Sequence, residues 1–387
     1  MKAGAATAWV SSGLAALTGR ADGPALRPRH HTVELVRSWF ADCAAHAADW
    51  PELDAAILLT ERAALTGRGR AGTVSVGGSA QMLACADGWL AFSRARPDDD
   101  LLIAALISQR IAGSPWPALA RWCAHRPGAS IVAQAAELSL PVGLVGECAD
   151  SMLEQTPASG IVGLAGLRVV DFSALWAGPL CASLLSRAGA EVIRVETAAR
   201  PDGARRGEPR FHDLLRAGHR SVVIDPDRDR AELQALVAGA DVVIEASRPR
   251  ALRRWGLDAH AEVARGAIWL SITAYGRDVD RVGFGDDVAA AAGLVAFEAA
   301  DGPPLFCGDA IADPLTGVFA AREVVLSLAA GTGVLLDIAM AEVAASTVRD
   351  WHVVARPVLE PVPVPQRRRP AEDTAEAFGA ATTEILG

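Results

Sequence analysis

Between residues 165 and 350 short apolar runs alternate with amphipathic stretches. "GLRVVDFS" reads as a buried strand, "AGPLCASLLSRAG" as a helix ended by Gly189, and "AEVIRVE" as the next strand. "RSVVID", "RAELQALVAGA", "DVVIEAS", "AHAEVARG" and "AIWLSITAYG" continue the alternation. Strand, helix, strand at this spacing predicts βαβ units. The fold class expected is α/β, a Rossmann-like doubly wound parallel sheet with ligands beyond the carboxyl ends of its strands.

The first half reads differently. Residues 1–61 predict a helical segment: "HTVELVRSWFADCAAHAADW" carries apolar residues at three- and four-residue intervals. Residues 62–148 predict a small α+β domain placed N-terminal to the sheet. In it "SAQMLACADGWLAFSRA" reads as two strands around the turn Asp87-Gly88, "DLLIAALISQRI" and "WPALARWCAHR" as helices, and "LPVGLVGE" as a short strand. A polar linker covers 149–164. After 350 the Pro- and Arg-rich "RPVLEPVPVPQRRRP" predicts an extended or disordered tail over 351–387. A short echo links the halves: "GLAALTGRADGPAL" (13–26) and "GLVAFEAADGPPL" (293–305) each end in a D-G-P turn.

Composition narrows the function. The hydrophobic fraction is 51% and the charged fraction 21%, which describes a globular chain. A net charge of −9 argues against a nucleic-acid-binding surface. The longest apolar stretch, 324–341, is broken by glycines and Asp337, which makes a poor membrane span. None of the six cysteines, Cys43, Cys85, Cys123, Cys148, Cys181 and Cys307, forms a C-x-x-C pair or sits at ligand spacing from a histidine. The expectation is a reduced cytoplasmic protein without metal, nucleic-acid partner or membrane.

Candidate chemistry clusters in three places. Arg248, Arg250, Arg253 and Arg254 follow the strand "DVVIEAS", at the sheet edge where ligands bind. Arg205, Arg206 and Arg210 follow "VIRVE"; either group equally describes a solvated helix face. The third is "CGDAIADPLTG" (307–317), which places Asp309 and Asp313 at the start of an alanine-rich helix. Asp313-Pro314 fits an N-cap followed by proline at the first helical position. A carboxylate held there is also a candidate nucleophile.

Several segments, in order, resemble the class III CoA-transferases of the CaiB/BaiF type. "GLRVVDFSALWAGPLCASLLSRAGAEVIRVE" resembles that family's opening strand–helix–strand. "HRSVVIDPDRDRAELQALVAGADVVIEASRPRALRRWGLD", "SITAYG" and "DGPPLFCGDAIADPLTG" resemble its later motifs. The resemblance implies a Rossmann-like CoA-binding large domain over 165–350. In the family the catalytic aspartate lies twelve residues after the Asp of D-G-P-P and four before a Gly. Asp301 and Gly317 bring that position onto Asp313, leaving Asp309 as a turn residue. The implied activity is transfer of CoA from an acyl-CoA thioester to a carboxylic acid through aspartyl anhydride and aspartyl-CoA intermediates. It needs no permanently bound cofactor. The implied CoA-binding residues are Leu175, Trp176 and Ala177 in the first loop, Ile224 beside the adenine, and Arg254 at a phosphate, with Arg248, Arg250 or Arg205 as substitutes. Ala246, Ser247 and Thr197 depart from the family's usual residues. Family members form interlocked dimers, so a homodimer is expected.

The N-terminal part resembles the same family out of order. Residues 62–148 resemble the small domain that normally follows the large one, and 1–61 the remnant of a large-domain copy. In that remnant Glu34 stands twelve residues after Asp22, inside an ordinary amphipathic helix, and reads as structural. Two other functions fit parts of the pattern. An α-methylacyl-CoA racemase needs a His-Asp pair at the helix start "GFGDDVAAAAGL", where Gly285 stands in place of the His. Asp286 and Asp287 there read as helix caps or as a second carboxylate near the thioester. A non-catalytic CoA-binding partner subunit fits the altered order.

Overall fold

The structure is a computed structural model. It describes residues 2–157, 159–246, 249–368 and 374–387.

The N-terminal segment contributes α1 (Lys2–Ser11), the two-residue strand β1 (Leu26–Arg27), α2 (Thr32–His46) and α3 (Glu61–Thr66). These elements do not form a core of their own. Trp9, Val33, Trp39 and Leu58 share one apolar core with Leu180, Val318 and Phe319 of the large domain.

The small domain is an antiparallel sheet, β2 (Ala80–Cys85), β3 (Gly88–Ser93) and β4 (Val142–Leu144), covered by α4 (Asp99–Leu106), α5 (Trp116–Cys123) and α6 (Gly128–Glu137). Its hairpin closes on the Cys85–Gly88 pair, one residue earlier than the sequence suggests. The Asp87 carboxylate holds that turn against α6 by accepting from Gly128 N–H at 2.7 Å.

The large domain carries β5 (Arg168–Asp171), α7 (Ala177–Arg187), β6 (Glu191–Thr197), α8 (Pro209–Arg216), β7 (Arg220–Ile224), α9 (Arg230–Ala238), β8 (Val242–Glu245), α10 (Pro249–Arg254), α11 (Ala259–Ala264) and β9 (Ile268–Thr273). Then come α12 (Gly285–Ala291), the hairpin β10 (Val295–Phe297) and β11 (Pro304–Phe306), α13 (Ala312–Ala330), β12 (Val334–Ala339) and α14 (Met340–Ser346). The six parallel strands run in the order β7-β6-β5-β8-β9-β12. The chain reverses direction across the sheet between β5 and β8, the switch point where doubly wound folds bind ligands.

Helix α13 is buried almost throughout from Ala312 to Ser327, which suits a central helix rather than a surface one. Trp39 of α2 meets its Phe319 edge-on at 5.2 Å. On the α7 side a Cβ at Gly317 would lie 2.8 Å from the carbonyl of Ala177, so only glycine permits this approach. Where the sequence predicts an N-cap at Asp313 and a helix from Pro314, the helix begins two residues earlier, at Ala312. Asp313 and Pro314 stand inside the first turn, where the missing proline N–H leaves no helical bond unmade.

The described parts of the tail, 351–368 and 374–387, make contacts with the rest of the chain. The strand β13 (Arg356–Pro357) pairs antiparallel with β1, and α15 (Thr382–Leu386) packs on β7. Arg368 makes a bidentate pair with Glu61, at 2.9 and 2.8 Å, with both side chains almost fully buried. The two echoing segments lie side by side without sharing a structure. The first is a 3-10 turn followed by β1, the second is the β10–β11 hairpin, and Arg20 reaches Glu298 at 3.3 Å.

Candidate active site

A cavity of about 310 Å³ opens at the carboxyl ends of β5, β8 and β9. Ala174, Leu175, Ala177 and Ala246 line one side, and the loop 276–284 lines the other. Asp313 and Met340 complete the wall. Of the three aspartates gathered beneath the cavity, Asp286, Asp309 and Asp313, only Asp313 reaches its surface.

Asp313 owes its position to a close approach of two helices. Its carboxylate accepts from the backbone N–H of Gly285, at the start of α12. A Cβ at residue 285 would fall 2.4 Å from Asp313 Oδ2 and 2.3 Å from the carbonyl of Ala310. The absence of a histidine there is therefore a steric requirement of this arrangement. Burial pushes the Asp313 carboxyl up to about 7; Arg62 pulls it down, Asp286 and Asp309 push it up, and the Gly285 N–H pulls it down.

Asp309 is not a simple turn residue. Its side chain is 2% exposed and accepts from Arg62, Nε to Oδ2 at 2.8 Å with Nη2 on Oδ1. Asp286 Oδ1 accepts from Ala310 N–H at 3.0 Å, fixing a left-handed residue (φ 46°) just before α13. Burial pushes Asp286 up to about 6. Asp287 accepts from Ser93 Oγ–H and from Phe284 N–H, so it ties α12 to the small domain and caps the helix. Burial pushes it up to about 7, and it does not line the cavity.

The first loop divides the residues expected to meet CoA. Leu175 and Ala177 face the cavity, whereas Trp176 turns into the core against Phe211 at 4.9 Å. Leu175 is strained, with φ +67°. Asp202 holds it by accepting its N–H at 3.0 Å, and Arg216 donates to its carbonyl at 3.3 Å. Asp202 is itself buried between Arg194, at 3.0 Å, and Arg216. Ile224 does not flank an open site; it is 2% exposed, in a core closed by the C-terminal helix. Arg254 is exposed and away from the cavity wall, and its neighbour Arg253 lines it instead. Arg205 is committed to Glu196 at 2.5 Å and lies over the Phe378 ring. Arg248 lies outside the described residues, as does the side chain of Arg250. Glu34 sits in the first turn of α2, off the cavity.

Sequence reasoning missed Arg62, Asp202 and the loop carrying Arg277 and Arg281. Arg277 is latched to Glu245, and Arg281 to Glu147 at 2.7 Å with its guanidinium 3.8 Å above the Tyr275 ring. No local motif marks Arg62, Arg277 or Arg281, because their partners Asp309, Glu245 and Glu147 are remote in sequence.

Residues 164–383 match the sequence profile of CoA-transferase family III. The chain belongs to this family. The family match covers the sheet, the cavity wall from 174 to 284 and the whole of α13. Among individual relatives, the chain is 32% identical over 196 residues to a succinyl-CoA–D-citramalate CoA-transferase of Chloroflexus aurantiacus, covering 46% of this chain and 48% of the relative. It is 30% identical over 254 residues to a probable fatty acyl-CoA transferase of Mycobacterium tuberculosis, covering 58% and 64%. A crystal structure of a CaiB/BaiF family protein from Brucella suis aligns at 28% identity with a TM-score of 0.44, covering 50% of this chain and 55% of that one. The chain spans about half the length of the curated relatives it matches. Among the described residues no helix is long and apolar enough to cross a membrane.

Proposed function

We propose that the chain transfers CoA from an acyl-CoA thioester to a carboxylic acid, with Asp313 as the nucleophile. The observation that carries this reading is that Asp313 alone, of the clustered carboxylates, opens onto the cavity. An Asp313 oxygen attacks the thioester carbonyl, the C–S bond breaks, and the thiolate leaves with the bonding pair. The thiolate then attacks Cγ of Asp313 in the mixed anhydride and expels the donor acid. This gives an aspartyl-CoA thioester. The acceptor carboxylate attacks the same carbon and releases the thiolate. The thiolate closes the cycle on the acceptor's acyl carbon, which frees the Asp313 carboxylate. Covalent catalysis of this kind keeps the thioester's free energy through both exchanges.

The cavity volume suits the acyl and pantetheine end of the substrate. The nucleotide would then lie at the mouth, near the exposed guanidinium of Arg253. A racemase would need a base at position 285, which has no room for a side chain. The test is CoA exchange between acyl-CoA and free acids, together with hydroxylamine trapping read by mass spectrometry. The expected result is exchange in the wild type, a hydroxamate at Asp313, and neither in Asp313→Ala. Exchange that survives Asp313→Ala sinks the assignment. A homodimer is proposed on the family's precedent; a single 40.2 kDa species in sedimentation would remove it.

A further inference from the structure

The start of α3 carries two adjacent charges that face different parts of the protein. Glu61 holds the tail through Arg368. Arg62 turns toward the catalytic helix and donates from two nitrogens to Asp309, the fork geometry that fixes a guanidinium most tightly. Its Cζ lies 4.7 Å from the centre of the Trp176 ring. That ring is held by Phe211, so the guanidinium is fixed by a carboxylate at its edge and an indole at its face.

Arg62 does not line the cavity, and Asp313 does. The groups that act on the Asp313 carboxylate come from three elements: Gly285 N–H and Asp286 from α12, Asp309 from the turn before α13, and Arg62 from α3. On the cavity side the charged lining residues are Arg253, Arg277, Asp278, Asp280 and Arg281. Arg277 and Arg281 are neutralised by Glu245 and Glu147. Three carboxylates therefore share one guanidinium behind the cavity. Burying all three ionised with one cation would be costly.

We propose that Arg62, oriented by Asp309, is the positioning residue that sets the charge of the Asp313 carboxylate from behind the cavity. The proposal rests on the reading of Asp313 as nucleophile. Arg62 stabilises the ionised carboxylate that must attack. Asp309 moderates that effect by neutralising much of the guanidinium's charge. A buried cation without that counter-charge would over-stabilise the carboxylate and blunt its attack. No cation would leave it protonated.

The two partners therefore act in opposite directions, which a merely structural pair would not do. The experiment measures kcat/KM for CoA exchange from pH 5 to 9. In parallel it measures the pH dependence of Asp313 labelling by a water-soluble carbodiimide, which consumes the protonated acid. Arg62→Met is expected to lose at least tenfold in kcat/KM at pH 6 relative to its own value at pH 9, beyond the wild-type loss. Its carbodiimide labelling should persist to higher pH. Asp309→Asn is expected to shift both curves toward lower pH, and Arg62→Lys to fall between wild type and Arg62→Met, because lysine keeps the charge but not the fork on Asp309. Melting by circular dichroism separates folding from charge. If Arg62→Met fails to fold, Asp309→Asn decides alone. Curves that move the same way in both variants, or an Asp309→Asn curve that stays in place or moves up, overturn the proposal. Retained exchange in Asp313→Asn would instead remove the nucleophile reading, and carbodiimide labelling would still judge Arg62.

Discussion

Replacing Gly285 with alanine tests the geometry that brings α12 and α13 together. The added Cβ would sit 2.3 Å from the Ala310 carbonyl and 2.4 Å from Asp313 Oδ2, where ordinary contacts begin at 3.4 Å. Something must therefore move by about 1 Å, as the difference between those contact distances requires. The carbonyl cannot retreat easily. It accepts from Asp313 N–H at 2.9 Å, and the Ala310 N–H is held by Asp286. Displacing Asp313 also breaks its bond from Gly285 N–H. Overpacking of this kind costs about 1–3 kcal/mol, and on the proposed reading of Asp313 as nucleophile a misplacement of ~1 Å loses roughly a hundredfold in rate. The expected result is a melting temperature lower by several degrees and a kcat about a hundredfold below wild type. Gly163→Ala is the control, because a Cβ there meets nothing within 4 Å. Gly285→Ala turning over and melting like the wild type would refute the close approach.

Three further outcomes follow from the same geometry. Asp287 lies fully buried with its carboxyl up at about 7, so the folded state holds a proton that the unfolded state releases near 4. Stability should fall as pH rises from about 4 to about 7 and level off above; Asp287→Asn should flatten that fall by on the order of 2–4 kcal/mol in urea titrations, and an unchanged slope would contradict it. Arg368→Met strands Glu61 as an unpaired buried charge and should cost about 3–5 kcal/mol, with faster proteolysis of the C-terminal segment; wild-type protease resistance would count against it. Leu175→Gly relieves a left-handed leucine while removing cavity wall, so stability should hold or rise slightly as KM for acyl-CoA increases. An unchanged KM would remove Leu175 from the site.

The large domain was legible because its evidence is local. A strand buried on both faces writes an apolar run, and "RVVD", "VVIE" and "IWLSIT" each became a central strand of the sheet. Asp313 was singled out by the family's motif spacing from Asp301 and to Gly317, and the structure puts it on the cavity wall, at an inner-turn position rather than at the cap expected of it. Other features left no local trace. A two-residue strand such as β13 has no periodicity to detect, so the tail read as extended or disordered. Ile224 looked like a strand end open to ligand, and only the packing of α15 showed it covered. Arg62 stands in "TERAALTG", an unremarkable helix start, and its partner is too remote for any motif to join them.

That remoteness has a consequence for how the protein is made. The Arg62–Asp309 pair spans 247 residues, and closing so long a loop costs about 5 kcal/mol in chain entropy before any contact repays it. During synthesis Arg62 waits through most of the chain before its carboxylate exists. The electrostatics around Asp313 are thus among the last features to form. A partly made or partly unfolded chain would carry Asp313 without Arg62 seated on Asp309, so the site proposed for catalysis is completed only when the two halves of the chain have met.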